Sequence, residues 1–313
     1  MSPRHKTTTT DAAAPPQAER GLISDFERRK LPVKISTAVI NVFLFCFLVL
    51  ACVGPMYLLL KSSVTPTQDI IRTPLAFFPN GVKWSNIAQA WNNIHVSRYF
   101  FNTIIIACGS WFFQLLVATT GGYVLSVLKP KYASIVNALV IGTLFVPIVV
   151  LLVPLYLTIL NPPLIGSLTG PNGLLNSNWA VWLPAGASAF NIVIVTRFFD
   201  SLPREVFEAA KVDGAGPFRL FWQVVLPMSK PILGVVSVFA FIAAWKDFLW
   251  PMLVLKNPQI QPLSVRLPAI QAQTDLGVFL AALAISTIVP VVFFLIFQRF
   301  FLSGAGMSGA VKG

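Results

Sequence analysis

The chain has 313 residues, of which 56% are hydrophobic and 11% charged, with a mean hydropathy of +0.75. Soluble domains carry about 25% charged residues, so the composition excludes an ordinary soluble globular protein and points to one embedded in a membrane. The net charge of +12 does not imply nucleic acid, because the bases are spread along the chain and not gathered into one patch.

Residues 1–34 form a first region. The run TTTTDAAAPPQA, Thr7 to Ala18, is of low complexity and has nothing to build a packed core. The region ends in the basic run Glu27 to Lys34, directly before an apolar stretch from Ile35 to Leu60. That stretch is too long for the apolar part of a secretory signal, and an uncleaved first span is expected. Five more apolar runs follow, giving spans near 35–60, 99–127, 133–160, 178–199, 230–255 and 276–302. The expected fold is therefore all-α, a polytopic membrane protein with six transmembrane helices. Its expected organisation is a flexible tail over 1–34, a first span and long outer loop over 35–98, a membrane core over 99–302 that includes a loop at 200–229, and a terminal tail over 303–313.

Gly109, Gly121 and Gly122 in the second span allow close helix approach, although glycine is also merely tolerated in membrane helices. Pro147 and Pro154 in the third span, and Pro184 with Gly186 in the fourth, should bend their helices. Cys46, Cys52 and Cys108 all fall inside spans without metal-ligand spacing, and are expected to be buried small apolar residues. The polar residues Asn102, Thr103, Gln114, Asn137 and Asn191 within spans suit either a solute path or hydrogen bonds between helices.

Charge gives the orientation. With six spans both termini share a side, and sixteen Lys and Arg fall on that side against six on the other. The positive-inside rule then puts both termini and the 200–229 loop in the cytoplasm. The outer loop 61–98, rich in Pro, Trp and Asn, should carry a short surface helix near Trp84 to Asn93. Its aromatic residues suit either the membrane interface or an external partner.

The cytoplasmic segment Ser201 to Pro231 reads as two short helices. Ser201 is placed to cap a helix starting near Pro203, with Glu205 and Glu208 toward its positive end. Gly214 and Gly216 make a stop or sharp turn. A second helix from Pro217 would present Phe218, Phe221, Trp222 and Val225, and Pro227 would end it. The pattern alone leaves lipid contact and protein contact both open.

No catalytic or metal constellation competes. The two histidines, His5 and His95, lie far apart, and no glycine-rich phosphate loop exists. In AAWKDFLWP, Lys246 and Asp247 are ionisable groups inside the fifth span. Such groups are costly there and either line a functional polar site or are satisfied by a neighbouring helix.

The whole 200–229 loop resembles the inner-membrane permease subunits of bacterial binding-protein-dependent ABC importers, of the MalG-like type in the carbohydrate class. The signature of that family is carried here by Glu208, Ala209, Ala210, Asp213, Gly214 and Ala215, closed by Leu226 and Pro227. SLPREVFEAA, LPMSKPILGVV, TPLAFFP and the terminal SGAVKG are similar to the family as well, so the resemblance covers residues 34–313. Lys246 departs from the asparagine usual before Asp-Phe. The resemblance implies a non-catalytic subunit in a bacterial cell membrane that binds no cofactor itself. ATP and Mg2+ would sit on two partner ATPase subunits, a second homologous permease would complete the pathway, and an extracytoplasmic solute-binding protein would deliver a carbohydrate. The alternative is the same machinery importing a polyol, glycerol phosphate or other small solute, and a more distant one is a secondary transporter or channel. The helix from Glu208 to Gly214 would be the coupling element docked in an ATPase groove.

Overall fold

A computed structural model describes residues 30–163, 166 and 170–307. Of the expected tails over 1–34 and 303–313, residues 1–29 and 308–313, with His5 and SGAVKG, lie outside the described residues. Every regular element among the described residues is helical. Three helices are long and apolar enough to cross a membrane, and three bent helix pairs bring the number of spans to as many as six. The chain is a polytopic, all-α membrane protein.

Two compact units divide at residues 57 and 58. The first contains most of α1 (Leu31–Ser63). At 1.5 Å per residue this helix is about 50 Å long, more than a hydrocarbon core requires. Its side chains from Ile35 to Met56 are almost all exposed, and apolar surface on every side suits a helix solvated by lipid.

In the second unit the chain continues through α2 (Thr67–Arg72), α3 (Ser85–Asn92) and α4 (Val96–Tyr123). Helices α5 (Ala133–Thr143), α6 (Ile148–Leu160), α7 (Trp179–Gly186) and α8 (Ala189–Asp200) follow. Then come α9 (Arg204–Val212), α10 (Pro217–Met228), α11 (Lys230–Lys246) and α12 (Leu249–Val254). The last two are α13 (Leu263–Ile270) and α14 (Leu276–Met307).

Helix α4 is the axis of this unit, with α7, α8 and α11 packed along it. Two of its glycines explain why. A Cβ on Gly109 would collide with the Trp182 ring of α7, and one on Gly122 would sit 3.0 Å from Val195 and 3.3 Å from the Thr196 backbone of α8. Here glycine is the condition for close packing. The polar residues of the spans supply further links. Asn102 donates to the carbonyls of Gln259 (2.8 Å) and Gln261 (3.1 Å), and the Thr103 hydroxyl accepts from the Leu263 amide at 2.9 Å.

Three of the expected spans are interrupted. The third breaks between α5 and α6 with a 112° bend, and the fourth bends by 42° between α7 and α8. Pro147, extended at φ −60° and ψ 130°, stands at the first break. Its preceding residue is steered away from helix and its own amide donor is missing, so the chain restarts there. Pro154 and Pro184 stay inside their helices. The fifth span stops at Lys246, and Asp247 is extended (φ −64°, ψ 124°) before α12 resumes. Another expectation fails: Cys46, Cys52 and Cys108 are exposed. Lipid is as apolar as a protein interior, so a small apolar side chain has no need to be buried.

The short helix expected in the long loop is α3, and it is packed into the fold. Asn86 and Ala90 are buried, and α3 lies against α14. Gly277 permits this, because a Cβ there would meet Asn86 Nδ2 at 2.7 Å and the Thr65 carbonyl at 3.1 Å. Asp275 caps α14: its Oδ1 accepts from the amides of Gly277 (3.1 Å) and Val278 (3.4 Å) and from the Thr67 hydroxyl (2.6 Å). The Thr67 hydroxyl foremost, with these two amides and the charge of Lys83, outweighs burial and holds the carboxyl below the usual carboxylate range. Asp275→Ala should therefore lower the stability of the purified protein by about 1 kcal/mol, read as a lower melting temperature in detergent. The sign follows from a depressed folded pKa. The stabilisation is present above the ordinary carboxylate value of about 3.9 and is lost as pH falls through the lower folded value. The melting difference between wild type and variant should thus be full at neutral pH and shrink in that acid range.

Candidate functional site

The 201–229 loop is built on the end of α8. The Ser201 hydroxyl donates to the Phe198 carbonyl at 2.7 Å, so this serine closes α8 and does not cap α9, as its position had suggested. Pro203 precedes the first turn of α9, which has no side-chain cap and carries Glu205. Along α9, Phe207 and Ala210, three residues apart, share the inner face. Phe207 is buried among Phe199, Leu202, Leu220, Phe221 and Val225, with Ala210 packed at the edge of the same cluster. Burying a phenylalanine in this way is worth about 1.5–3 kcal/mol. The opposite face is open, with Glu208, Ala209, Asp213 and Gly214 exposed and Val212 88% exposed.

The end of α9 is rigidly defined. Gly214 has φ +79°, its amide donates to the Lys211 carbonyl at 3.0 Å, and the Ala215 amide donates to the Ala210 carbonyl at 2.9 Å. These two bonds form a Schellman stop, which needs a left-handed residue at the position Gly214 holds. Helix α10 then starts with Pro217, whose carbonyl accepts from the Tyr123 hydroxyl of α4 at 2.7 Å. Of the four residues expected to face a partner, Phe221 and Val225 turn into the core while Phe218 (78%) and Trp222 (54%) stay exposed. Leu226 packs at the edge of the core and Pro227 is exposed. The turn comes at the buried Ser229, two residues after Pro227, and α11 leaves at 79°.

A latch that the sequence did not disclose joins this loop to the end of α4. Asp200 forms an ion pair with Lys129 at 3.2 Å and accepts from the Ser126 hydroxyl at 2.9 Å. Lys129 is held in the left-handed conformation at φ +45°. Between the latch and α9 lies a cleft of about 130 Å³ that Arg204, Glu208 and Lys211 also line. The only sequence signal was the Lys-Pro-Lys turn after the second span.

The second feature lies where two spans are broken. Cavities of about 670 and 500 Å³ share Gln114, Ser188, Ala243 and Lys246 as lining residues. Asp247, Phe248, Trp250 and Ser110 line the larger one, and Asn191 the smaller. Gln114 and Asn191 are hydrogen-bonded to each other at 2.8 Å, so they act as a link between α4 and α8 at the cavity wall. The Asp247 carbonyl accepts from Ser264 at 2.6 Å. Lys246 and Asp247 therefore sit at the broken end of the fifth span, and among the described residues neither takes part in an ion pair. Sequence reasoning did not single out Ser110 or Ser188; a serine in an apolar run is too common a signal. Among the described residues no His, Cys, Asp or Glu cluster suits a metal ion.

Comparisons with known proteins fit this arrangement. The family described as "Binding-protein-dependent transport system inner membrane component" matches residues 118–304, more than half of the chain. The "Probable ABC transporter permease protein YurM" of Bacillus subtilis is 30% identical over 296 residues, covering 93% of each chain. The "Diacetylchitobiose uptake system permease protein NgcG" of Streptomyces coelicolor is 28% identical over 251 residues, 78% of this chain and 80% of that one. Among solved structures, a chain of a bacterial ABC transporter involved in import of the acidic polysaccharide alginate superposes with a TM-score of 0.72 at 20% identity. It covers 87% of this chain and 98% of its own, a likeness of fold.

Proposed function

We propose, from the premise that the chain belongs to the binding-protein-dependent transport system inner membrane components, that it forms one half of the pathway of a bacterial carbohydrate importer and couples that half to an ATPase. The 201–229 loop lies on the cytoplasmic side, a reading supported by the excess of Lys and Arg there. A second homologous permease completes the pathway, two ATPase subunits holding ATP and Mg2+ dock at the loop, and a solute-binding protein delivers solute from the other side. The carbohydrate class is supported by the diacetylchitobiose permease among the relatives.

The observation that carries the coupling role is the division of α9 into two faces. Phe207 and Ala210 fix the helix to the bundle core, while Glu208, Ala209, Asp213 and Gly214 stand free beyond it. A short helix fixed on one side and open on the other transmits a push as rigid displacement. The ATPase closes on ATP, carries α9 with it, and moves α4, α8 and α11 through the shared core. Extraction of the complex in mild detergent tests this directly. ATPase chains and a second permease should co-purify, and sugars supplied with the binding protein should stimulate ATP hydrolysis. Purification without any ATPase chain would overturn the reading.

A further inference from the structure

Lys246 is a cation in a membrane-spanning segment, placed at the last turn of α11 and exposed toward the larger cavity. Among the described residues no carboxylate lies within 4.0 Å of its ammonium. An ammonium in such surroundings needs a counter-charge or water, since lipid and apolar walls supply neither. The neighbouring acid, Asp247, lines the same cavity without pairing with this ammonium. No other charged residue lines either cavity. The same wall holds a second unanswered group, the Ser110 hydroxyl, which is 1% exposed and has no hydrogen-bond partner. Around these polar groups stand apolar walls from Leu155, Phe248 and Trp250, the mixed lining expected of a small-molecule site. A volume of about 670 Å³ has room for a sugar.

We propose that this cavity receives an anionic solute, a carboxylated or phosphorylated sugar, with Lys246 as its counter-charge and Ser110 as a hydroxyl partner. The inference rests on the importer reading and names the class of solute within it. An acid on the second permease is the competing source of counter-charge.

The test uses the assembled complex in proteoliposomes with its binding protein and matched probes: glucose and glucuronate, cellobiose and cellobionate, glycerol and glycerol 3-phosphate. Stimulation of ATP hydrolysis is expected from an acidic member. Lys246→Gln should lower uptake of that probe about tenfold, Lys246→Glu by more, and Lys246→Arg should retain it, the range for losing one charge-assisted contact. Stimulation by neutral members alone, or equal uptake by Lys246→Gln, would overturn the proposal. Loss of the second permease from the purified Lys246→Gln complex would also overturn it, by assigning the lysine to that subunit. A second measurement does not depend on solute identity. With Cys46, Cys52 and Cys108 replaced by Ser, Ala243→Cys lines both cavities, and an anionic thiosulfonate should label it faster beside Lys246 than beside Lys246→Gln. A cationic reagent should show the reverse, and unchanged rates for both would count against Lys246. These results are separable from the parent reading, which falls only if no ATPase chain accompanies the permease.

Discussion

Glu208→Lys and Gly214→Val should abolish ATP-driven uptake while leaving membrane insertion and abundance intact. Gly214 lies at φ +79°, and a Cβ built on it meets nothing within 4 Å of the chain itself. A side chain there costs only the left-handed backbone, about 1–2 kcal/mol and confined to the end of α9. Valine adds branching at Cβ to that strain and places new atoms on the free face of the helix. Glu208 is exposed on α9, so reversing its charge removes no contact from the bundle core. Neither variant therefore has a route to unfolding the membrane helices, and the damage falls on whatever docks at this surface. Truncating or blocking a hot spot of a protein interface costs about 2–4 kcal/mol, roughly 30-fold or more in affinity. The checks are solute uptake, the amount of protein in the membrane fraction, and recovery of the ATPase chain in co-purification. Gly214→Ala, which adds strain and one methyl group, should fall between wild type and Gly214→Val. Normal uptake by both Glu208→Lys and Gly214→Val would remove the coupling role from α9.

The two ends of this molecule were unequally legible in its sequence. Apolar runs of membrane length report helices reliably, because lipid leaves the backbone no other way to satisfy its own groups. Where those helices break is less legible. Pro147 marks a 112° bend and Pro154, seven residues on, lies inside an uninterrupted helix. Proline removes a donor in both places, and the packing of neighbours decides whether the chain follows the bend. Lys246 and Asp247 were recognised as costly residues within a span, yet the interruption of the span at Asp247 could not be read from two adjacent charges. The glycine turn after α9 was legible because a left-handed position at a helix end selects glycine. The facing of Ala209 and Ala210 was not, since both are small and only the position of Phe207 against its core distinguishes inside from outside. The latch of Lys129, Ser126 and Asp200 joins residues more than seventy apart, and the Lys-Pro-Lys turn does not name its distant partner.

Phe207 yields the second large effect, and one of a different kind. Its ring lies in the cluster that also holds Tyr123 of α4, Val195 and Phe199 of α8, and Val236 of α11. These are the helices that would carry a displacement of α9 into the membrane. Phe207→Ala removes the ring from beneath α9, a change that costs about 3–5 kcal/mol at a fully buried site. The loss falls on the attachment of one short helix, because the remaining members of the cluster still hold α4, α8 and α11 together. The outer face of α9, with Glu208, Ala209 and Gly214, is untouched. The ATPase chain should therefore still co-purify with Phe207→Ala, and ATP should still be hydrolysed, while solute no longer stimulates hydrolysis and uptake falls by about tenfold or more. Phe207→Leu, which refills most of the space, should recover much of the coupling. This pattern is the converse of that expected for Gly214→Val, in which docking itself fails. If Phe207→Ala lost the ATPase chain as Gly214→Val does, the two faces of α9 would not be separable in function. If it retained full solute stimulation, the push would have to reach the membrane helices by a path other than the Phe207 core, and Pro217 bound to Tyr123 would be the next contact to break.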